Sequence, residues 1–223
     1  MKIVAMKVEL LDRMGTDLSI VNAARVSMAK ESGWEFQGCE TARLSDKDAK
    51  LVNYLANNNH WTPFGHCFAT FRVKAPIFVA RQLVKHQIGL CWNEVSRRYV
   101  DEEPEFWLPE VWRERPEGSI KQGSGKAHYA SMHIARLIER RTQESLSLYQ
   151  SLIYDNVAPE QARMVLPLNT MTEWIWSGSL AAWARVCKLR LDPHAQEETR
   201  LVAEMFANEL EPIFPVSWAA LMA

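Results

Sequence analysis

The sequence from position 67 to position 86 reads Cys67-Phe-Ala-Thr-Phe-Arg-Val-Lys-Ala-Pro-Ile-Phe-Val-Ala-Arg-Gln-Leu-Val-Lys-His86, and its hydrophobic period changes at the centre. Up to Val73 apolar residues recur at every second position, the period expected of a half-buried strand. Pro76 suits the first position of a helix, and apolar residues then recur three and four positions apart. We therefore predict a strand over 67–73, opened by His66, that leads directly into a helix ending near Gly89.

The segments on the N-terminal side fit a mixed fold. Residues Ile3 to Leu11 are β-rich and alternate partially, which predicts another strand. Ser45 stands three residues before Asp48, the spacing of a helix-capping hydroxyl, so a helix should run from there to Asn57-Asn58-Asn59. The stretch 101–126 is rich in Pro, Glu and Gly, and we interpret it as an ordered loop without a domain break.

The C-terminal half is predicted to be helical. A long amphipathic helix should run from Ala127 to Ile153. Its apolar side is marked by Ile134, Leu137, Ile138, Leu148 and Leu152. Pro159, Pro167 and Pro193 punctuate three further helices, the last reaching about Leu210. We predict an α+β fold in a single domain over residues 1–223, with a modest, mainly antiparallel sheet and several long helices.

Composition restricts the classes of function. Hydrophobic residues make up 48% and charged residues 24%, as in ordinary soluble globular proteins. The net charge of -1 gives no bulk attraction for nucleic acids or anionic membranes, so any phosphate site must be local.

The four cysteines lack CxxC spacing and are interpreted as buried thiols in a reducing compartment: Cys39, Cys67, Cys91 and Cys187. Lys7 interrupts a signal-peptide core, and no run approaches the roughly 18 apolar residues of a membrane span, so we predict a cytoplasmic protein.

Arginines concentrate in four segments, at 81–87, 93–99, 160–163 and 189–194. A guanidinium group is planar and stays charged when desolvated, which suits forked hydrogen bonding to a phosphate or a uracil edge. Surface charges and ion-pair partners are the alternative interpretation. The segment Asn93 to Tyr99 combines amide, carboxylate, hydroxyl, guanidinium and phenol groups without an amphipathic pattern, which favours a ligand site.

The segment Asn93-Glu-Val-Ser-Arg-Arg-Tyr99 resembles the Asn-Glu-x-Ser-x-Arg-Tyr signature of the flavin-dependent thymidylate synthases (ThyX family). Five more blocks resemble family blocks in family order: Asn22–Ser27, His60–His66, Lys74–Gln82, Glu160–Asn169 and Leu189–Gln196. Lys85-His86-Gln87 stands where the family usually has Arg-His-Arg, and the following spacer is one residue longer. Ser179 and Arg185 stand where asparagines are expected.

The resemblance implies a ThyX-like fold and the family's reaction. A methylene group passes from methylenetetrahydrofolate to C5 of dUMP, and hydride from FAD, reduced by NADPH, completes the methyl group of dTMP without a cysteine nucleophile. The resemblance also implies a homotetramer with active sites shared between subunits. The near-zero net charge and the lack of a long apolar run predict neither nucleic acid nor membrane as a partner.

The resemblance assigns roles to individual residues. Arg190 would be catalytic, because its charge against the uracil edge would stabilise ionised N3 and push electron density towards C5. The residues implied to bind dUMP are Gln82, Lys85, Glu94, Ser96, Arg97, Arg98, Arg163 and Arg190. Those implied to bind FAD are His60, Thr62, Lys85, His86, Gln87, Glu94, Ser179, Arg185 and His194.

Other chemical interpretations of these residues stay open. Arg190 could form a buried ion pair with Asp192 or Glu197. Ser96 has no local base, so hydrogen bonding to phosphate is a better interpretation than nucleophilic attack. For Cys91, the neighbouring Leu90 and Trp92 would raise the thiol pKa if they buried it, which disfavours a catalytic thiolate.

A metal site at His60 and His66 lacks a third ligand at usable spacing, and we predict no metal. Two further functions are compatible with the sequence. One is a divergent flavoenzyme that modifies dUMP differently, for example a hydroxymethylase. The other is a nucleotide-binding protein that has lost flavin.

Overall fold

The computed structural model describes residues 1–37, 41–100, 102–117 and 123–223. In these ranges the strands are β1 (Lys2–Ile3), β2 (Lys7–Met14), β3 (Glu35–Gln37), β4 (Thr41–Arg43), β5 (Phe68–Pro76), β6 (Leu90–Glu94), β7 (Glu105–Phe106) and β8 (Met171–Ser179). The α-helices are α1 (Asp17–Arg25), α2 (Asp46–Asn57), α3 (Ile77–Leu83), α4 (Ser131–Tyr154), α5 (Pro159–Ala162), α6 (Leu180–Arg190), α7 (Glu197–Leu210) and α8 (Pro215–Met222). Short 3-10 helices cover Val26–Met28, Pro63–His66 and Arg163–Val165.

The main sheet has four antiparallel strands in the order β2-β5-β8-β6. β1 pairs with β7 in parallel, and β3 pairs with β4 in antiparallel. This arrangement confirms the predicted mixed fold with a mainly antiparallel sheet and several helices. The strand predicted over Ile3–Leu11 is divided in two, because β1 and β2 join different sheets.

The strand-to-helix switch at Pro76 is confirmed. In β5 the side chains of Ala69, Phe71 and Val73 are buried, and α3 begins directly after the strand. The helix ends at Leu83, earlier than the predicted end near Gly89. His66 is the last residue of a 3-10 helix and does not open the strand, since Pro63 at the start of that helix holds the backbone in a helical conformation.

The prediction that a helix follows Pro167 directly is wrong, because strand β8 lies between Pro167 and the helix. A turn closes where the backbone N–H of Thr170 donates to the carbonyl oxygen of Pro167 at 3.0 Å. β8 then pairs with β5 along its whole length and places Trp174 and Trp176 in the core. The predicted helix exists, but only after the strand, as α6.

The other helix predictions are confirmed with two corrections. Ser45 caps α2 by accepting a hydrogen bond from the backbone N–H of Asp48 at 3.1 Å. The helix predicted from Ala127 begins at Ser131. Its buried side chains are Thr142, Leu146 and Tyr149, whereas Leu137 and Leu148 of the predicted apolar side are 40% and 50% exposed. The loop over 101–126 contains β7 and is ordered where it is described; residues 101 and 118–122 lie outside the described ranges.

The core is centred on aromatic side chains between the sheet and helices α6 and α7. Trp183 packs edge-on against Phe71, with ring centroids 4.8 Å apart, and against Trp176 at 4.9 Å. Its indole N–H donates to the carbonyl oxygen of Ala69 at 3.2 Å. This packing fixes α6 against the sheet, so that the two ends of α6 have defined positions.

Helix α8 is attached to the start of the chain through Asp17. The buried carboxylate of Asp17 accepts hydrogen bonds from the backbone N–H groups of Val216 and Ser217 at 3.0 and 2.9 Å. Those N–H groups lie in the first turn of α8 and have no partner within that helix. The side chain therefore caps a helix that is remote in sequence.

The cysteine prediction is partly wrong. Burial raises the pKa of Cys67 to about 11 and that of Cys187 to about 12, as expected for inert thiols. Cys91 is exposed, because it lies on β6 with its side chain opposite to that of Trp92, which packs inward. Cys39 lies outside the described residues.

In the described ranges, no helix combines the length and the hydrophobicity needed to cross a membrane.

Candidate active site

Two partly buried contacts join the end of α3 to the junction between α6 and α7. The guanidinium Nε of Arg190 donates to Nε2 of His86 at 2.9 Å. The hydroxyl of Thr199 donates to Oε1 of Gln82. Gln82 lies in the last turn of α3, His86 follows that helix, Arg190 ends α6 and Thr199 lies in the first turn of α7. The fold thus brings together three residues that the family resemblance selected, and adds Thr199.

The His86–Arg190 contact requires a neutral histidine. Burial lowers the pKa of His86, and the charges of Arg190 and Arg185 lower it further. The neutral ring accepts at Nε2 and therefore carries its proton on Nδ1. Burial also lowers the pKa of Arg190, although a guanidinium stays charged at neutral pH. Within the described residues, no ion pair joins Arg190 to Asp192 or Glu197, so the alternative of a buried ion pair is wrong.

A large cleft lies on the other side of α3. Its volume is about 1140 Å³, and its wall includes Arg81, Glu94, Arg97 and Arg163 together with apolar side chains. The nitrogen Nη1 of Arg97 donates to the carbonyl oxygen of Glu102 at 2.9 Å, and Nε of Arg163 donates to that of Glu160 at 3.2 Å. Each contact uses one guanidinium nitrogen, which leaves the other donors for a ligand.

Glu94 is held in place at the end of β6. Its Oε1 accepts from the hydroxyl of Thr172 at 2.7 Å, and its Oε2 accepts from the indole N–H of Trp92 at 3.2 Å. Trp92 stacks on Trp174, with centroids 4.3 Å apart and planes 19° from parallel. The carboxylate therefore has a defined orientation on the wall of the cleft.

The rest of the signature segment forms an exposed turn. Oγ of Ser96 accepts from Nε of Arg98 at 3.1 Å, and the guanidinium of Arg98 lies 5.0 Å from the centre of the Tyr99 ring. Tyr99 is 78% exposed. Ser96 has no histidine or lysine within hydrogen-bond reach among the described residues, which agrees with a binding role rather than a nucleophilic one.

The start of α6 packs against the loop that follows His86. Ser179 caps α6, and Nη2 of Arg185 donates to the carbonyl oxygen of Ile88 at 2.7 Å. Gly89 turns the loop in the left-handed region, with a φ of +76°, and a Cβ there would lie 3.2 Å from that of Ala182. Lys85 and Gln87 are exposed on this loop.

The remaining predicted flavin residues, His60, Thr62 and His194, are exposed. His60 packs edge-on against Tyr54 with ring centroids 5.8 Å apart, and Thr62 precedes the 3-10 helix Pro63–His66. Nδ1 of His194 lies 3.0 Å from a carboxylate oxygen of Asp192. No described contact joins these three residues to the Arg190 cluster. In the described ranges, no group of three or more His, Cys, Asp or Glu side chains could hold a metal ion.

Sequence reasoning assigned no role to three polar residues near these sites. Arg81 lines the large cleft, and Thr199 holds Gln82. Arg113 pairs with both Glu197 and Glu198 beside a second cavity of about 490 Å³. Arg81 stands inside a block already selected and could have been found there. Thr199 and Arg113 depend on contacts between distant segments, for which the sequence carries no local signal.

A single chain therefore presents two separate groups. The first group consists of Gln82, His86, Arg190 and Thr199. The second group lines or borders the cleft and contains Arg81, Glu94, Arg97 and Arg163, with Ser96 and Arg98 on the adjoining turn. No hydrogen bond or salt bridge between described residues joins the two groups.

Comparison with known proteins identifies the family. The family described as "Thymidylate synthase complementing protein" matches residues 9–216. A flavin-dependent thymidylate synthase of Thermus thermophilus is 40% identical over 213 residues, which are 96% of this chain and 74% of the relative. One from Pseudothermotoga lettingae is 35% identical over 215 residues, which are 96% of this chain and 89% of the relative.

A solved structure supports the same assignment. The UMP/dUMP methylase PolB from Streptomyces cacaoi, in a crystal structure bound with 5-Br dUMP, aligns with a TM-score of 0.84 and 28% sequence identity. The alignment covers 98% of this chain and 95% of that chain. Because the family match and the relatives each extend over nearly the whole sequence, the chain belongs to the family of flavin-dependent thymidylate synthases.

Proposed function

We propose that this protein is an FAD-dependent thymidylate synthase that converts dUMP to dTMP. Methylenetetrahydrofolate would supply the one-carbon unit, and NADPH would re-reduce the flavin. The observation that carries the proposal is the half-buried guanidinium of Arg190, held by neutral His86 at a position that the family signature assigns to the uracil edge. The names of the relatives and the nucleotide in the PolB structure agree with this substrate.

Arg190 has the properties that the reaction requires. Its Nε is used on His86, which leaves the two Nη groups to face a ligand. A fixed positive charge in a partly desolvated site stabilises negative charge that develops on a uracil ring. Electron density would then be available at C5, the atom that receives the carbon.

The second group is suited to the nucleotide phosphate. Arg163 and Arg97 keep free donors at the cleft, while Ser96 and Arg98 lie on the adjoining turn. A planar guanidinium group can donate two parallel hydrogen bonds to two oxygens of one phosphate, and a hydroxyl adds a further donor. Lys85 keeps a positive charge where the family usually has arginine, but it lacks the forked geometry.

The loop beside α6 fits a flavin dinucleotide. Lys85 and Arg185 supply positive charge for its pyrophosphate, and the bare backbone at Gly89 permits close approach. His86, Gln87, Glu94 and Ser179 would supply hydrogen-bonding groups, and His60, Thr62 and His194 would complete the site. The bound flavin would supply hydride chemistry, whereas the protein's task is to bind, orient and polarise.

We further propose a cytoplasmic, single-domain protein that assembles as a homotetramer. The separation of the two groups supports shared sites, since nucleotide held at Arg190 of one subunit could meet the signature segment of another. Three large side chains on the outer surface of α4 are available for such contacts: Met132, Leu137 and Leu148.

An anaerobic single-turnover experiment tests the proposed reaction. The protein with FAD is photoreduced and mixed with dUMP and methylenetetrahydrofolate, and flavin reoxidation is followed while the nucleotide product is identified by mass. Reoxidation with formation of dTMP is expected. The Arg190→Ala variant should bind flavin normally but lose the chemical step.

Other results would identify the alternatives. A hydroxymethylated nucleotide would indicate the divergent flavoenzyme. Failure to bind flavin, with dUMP binding intact, would indicate a nucleotide-binding protein. Either result would contradict the proposed synthase.

A further inference from the structure

The junction between α6 and α7 carries three acidic side chains that follow Arg190 closely in the chain. Asp192 comes two positions after Arg190, and Glu197 and Glu198 are the first two residues of α7. Glu198 also precedes Thr199, which contacts the end of α3. An unbalanced carboxylate at this junction would reduce the positive potential around Arg190. The partners of the three acids therefore affect how strongly that guanidinium attracts an anion.

Each of the three acids has a partner other than Arg190. Asp192 accepts a hydrogen bond from the backbone N–H of His194 at 2.7 Å. Nη1 of Arg113 lies 3.0 Å from Oε1 of Glu197, and Nη2 of Arg113 donates to Oε1 of Glu198. Arg113 belongs to the loop that precedes α4. A segment remote in sequence therefore supplies the charge that balances the start of α7.

Glu198 depends on Arg113 more than Glu197 does. The side chain of Glu198 is 8% exposed, and Arg113 is its one salt-bridge partner among the described residues. Its other oxygen accepts from the neutral amide of Gln196 at 3.0 Å. Glu197 is more exposed, and its Oε2 lies 4.0 Å from a second cation, Arg200. Charges at buried positions are screened less than exposed ones, so an unpaired Glu198 would act strongly on its surroundings.

We propose that Arg113 keeps the charge of Arg190 available to an anionic ligand by neutralising Glu198. Arg113 is a positioning residue, because it acts through Arg190. The identity of the ligand as dUMP rests on the proposed function. Arg190 donates to neutral His86, so that contact does not cancel its charge. Without Arg113, the negative charge of Glu198 would oppose Arg190 and weaken the binding of a ligand that carries negative charge.

Matched variants separate the charge of Arg113 from its attachment of the loop to α7. Binding of dUMP to the flavin-loaded protein is measured by isothermal titration calorimetry. In Arg113→Gln the charge of Glu198 is unbalanced, so the affinity should fall by about tenfold. In Arg113→Gln/Glu198→Gln no charge needs balancing there, and the affinity should return to within about threefold of the wild type. Equal weakening in both variants would indicate a purely structural attachment and overturn the proposal.

A variant on another surface is the control. Arg141→Gln removes an arginine that pairs with Glu144 on the exposed side of α4. It should bind dUMP like the wild type, because an exposed pair is screened by solvent.

The titration of His86, followed by NMR in the protein without nucleotide, is a second readout. The unbalanced Glu198 in Arg113→Gln should raise the pKa of His86, and the double variant should reverse that change. Glu198→Gln alone keeps Arg113 and should lower the pKa of His86. This variant leaves no buried carboxylate without a cation, so it serves even if Arg113→Gln does not fold.

The two readouts separate this inference from the proposed function. A wild-type protein that does not bind dUMP would overturn the proposed function, whereas the pKa of His86 would still decide whether Arg113 balances charge at the junction. If the wild type binds dUMP and Arg113→Gln binds it equally well, the inference is overturned. A pKa of His86 that is the same in the wild type and in Glu198→Gln would also overturn it.

Discussion

The imidazole of His86 is expected to make the folding stability of the protein depend on pH. Burial and two nearby arginines lower its pKa below the ordinary value of 6.5. As pH falls below that value, the unfolded chain takes up a proton at His86 that the folded protein resists. The contribution of His86 to the free energy of unfolding is therefore fully present above about pH 6.5. It is lost as pH falls towards the lowered pKa of the folded state.

We expect His86→Gln to reduce this pH dependence. Glutamine can accept a hydrogen bond from Arg190 but does not titrate. Urea unfolding at about pH 7.5 and about pH 5.5 should show a smaller loss of unfolding free energy on acidification in the variant than in the wild type. His133→Gln, at an exposed position on α4, is the control and should resemble the wild type. If His86→Gln loses as much unfolding free energy on acidification as the wild type does, His86 is not the source of the pH dependence.

Sequence reasoning succeeded for residues within motifs and failed for those defined by packing. Gln82, His86 and Arg190 were selected from blocks of sequence, and the structure brings them to one junction. Thr199 carries no such signal, because its role depends on the approach of α7 to α3. The roles of the selected residues towards dUMP and FAD remain predictions.

At the scale of the element, Gly178 allows β6 to approach β8. A Cβ at this position would lie 2.8 Å from the carbonyl oxygen of Gly89, which is backbone and cannot rotate away. Gly178→Ala should lower the unfolding free energy by about 1–3 kcal/mol, the usual cost of overpacking. Urea denaturation measures this change. Gly33→Ala is the matched control, since a Cβ there meets nothing within 4 Å.

Asp17 is the cap of a helix that begins nearly at the other end of the chain. Asp17→Asn leaves one acceptor oxygen and turns an N–H group towards the start of α8, so one of the two hydrogen bonds should be lost. We expect the unfolding free energy, measured by urea denaturation, to fall by about 1–2 kcal/mol. Asp46→Asn, at an exposed position in the first turn of α2, should change it less. Similar losses in both variants would argue against a specific cap.

Strand β8 was missed by sequence reasoning because its alternation of apolar and polar residues is incomplete. In β8 the buried Trp174 and Trp176 alternate with Glu173 and Ser177, but apolar Ile175 interrupts the period of two. The β-rich composition could have indicated a strand. In β5 the alternation is more regular, and its prediction was correct.

At the scale of the whole molecule, the proposed sharing of sites between subunits predicts that two inactive variants complement each other. Arg190→Ala disables the first group and Arg98→Ala disables the second. Subunits mixed under conditions that allow exchange should form some sites with both groups intact, so activity should return. Each variant mixed with itself is the control. No recovery, despite exchange shown by mass, would indicate that both groups of one site come from the same subunit.

The strand order has a consequence for synthesis on the ribosome. β6 lies at an edge of the main sheet, and its partner among the described strands is β8, which is translated about eighty residues later. Until β8 leaves the ribosome, β6 and one side of β5 have unpaired backbone groups, a state prone to association with other chains. We therefore expect the nascent chain to associate with other chains more readily before β8 is synthesised than after it.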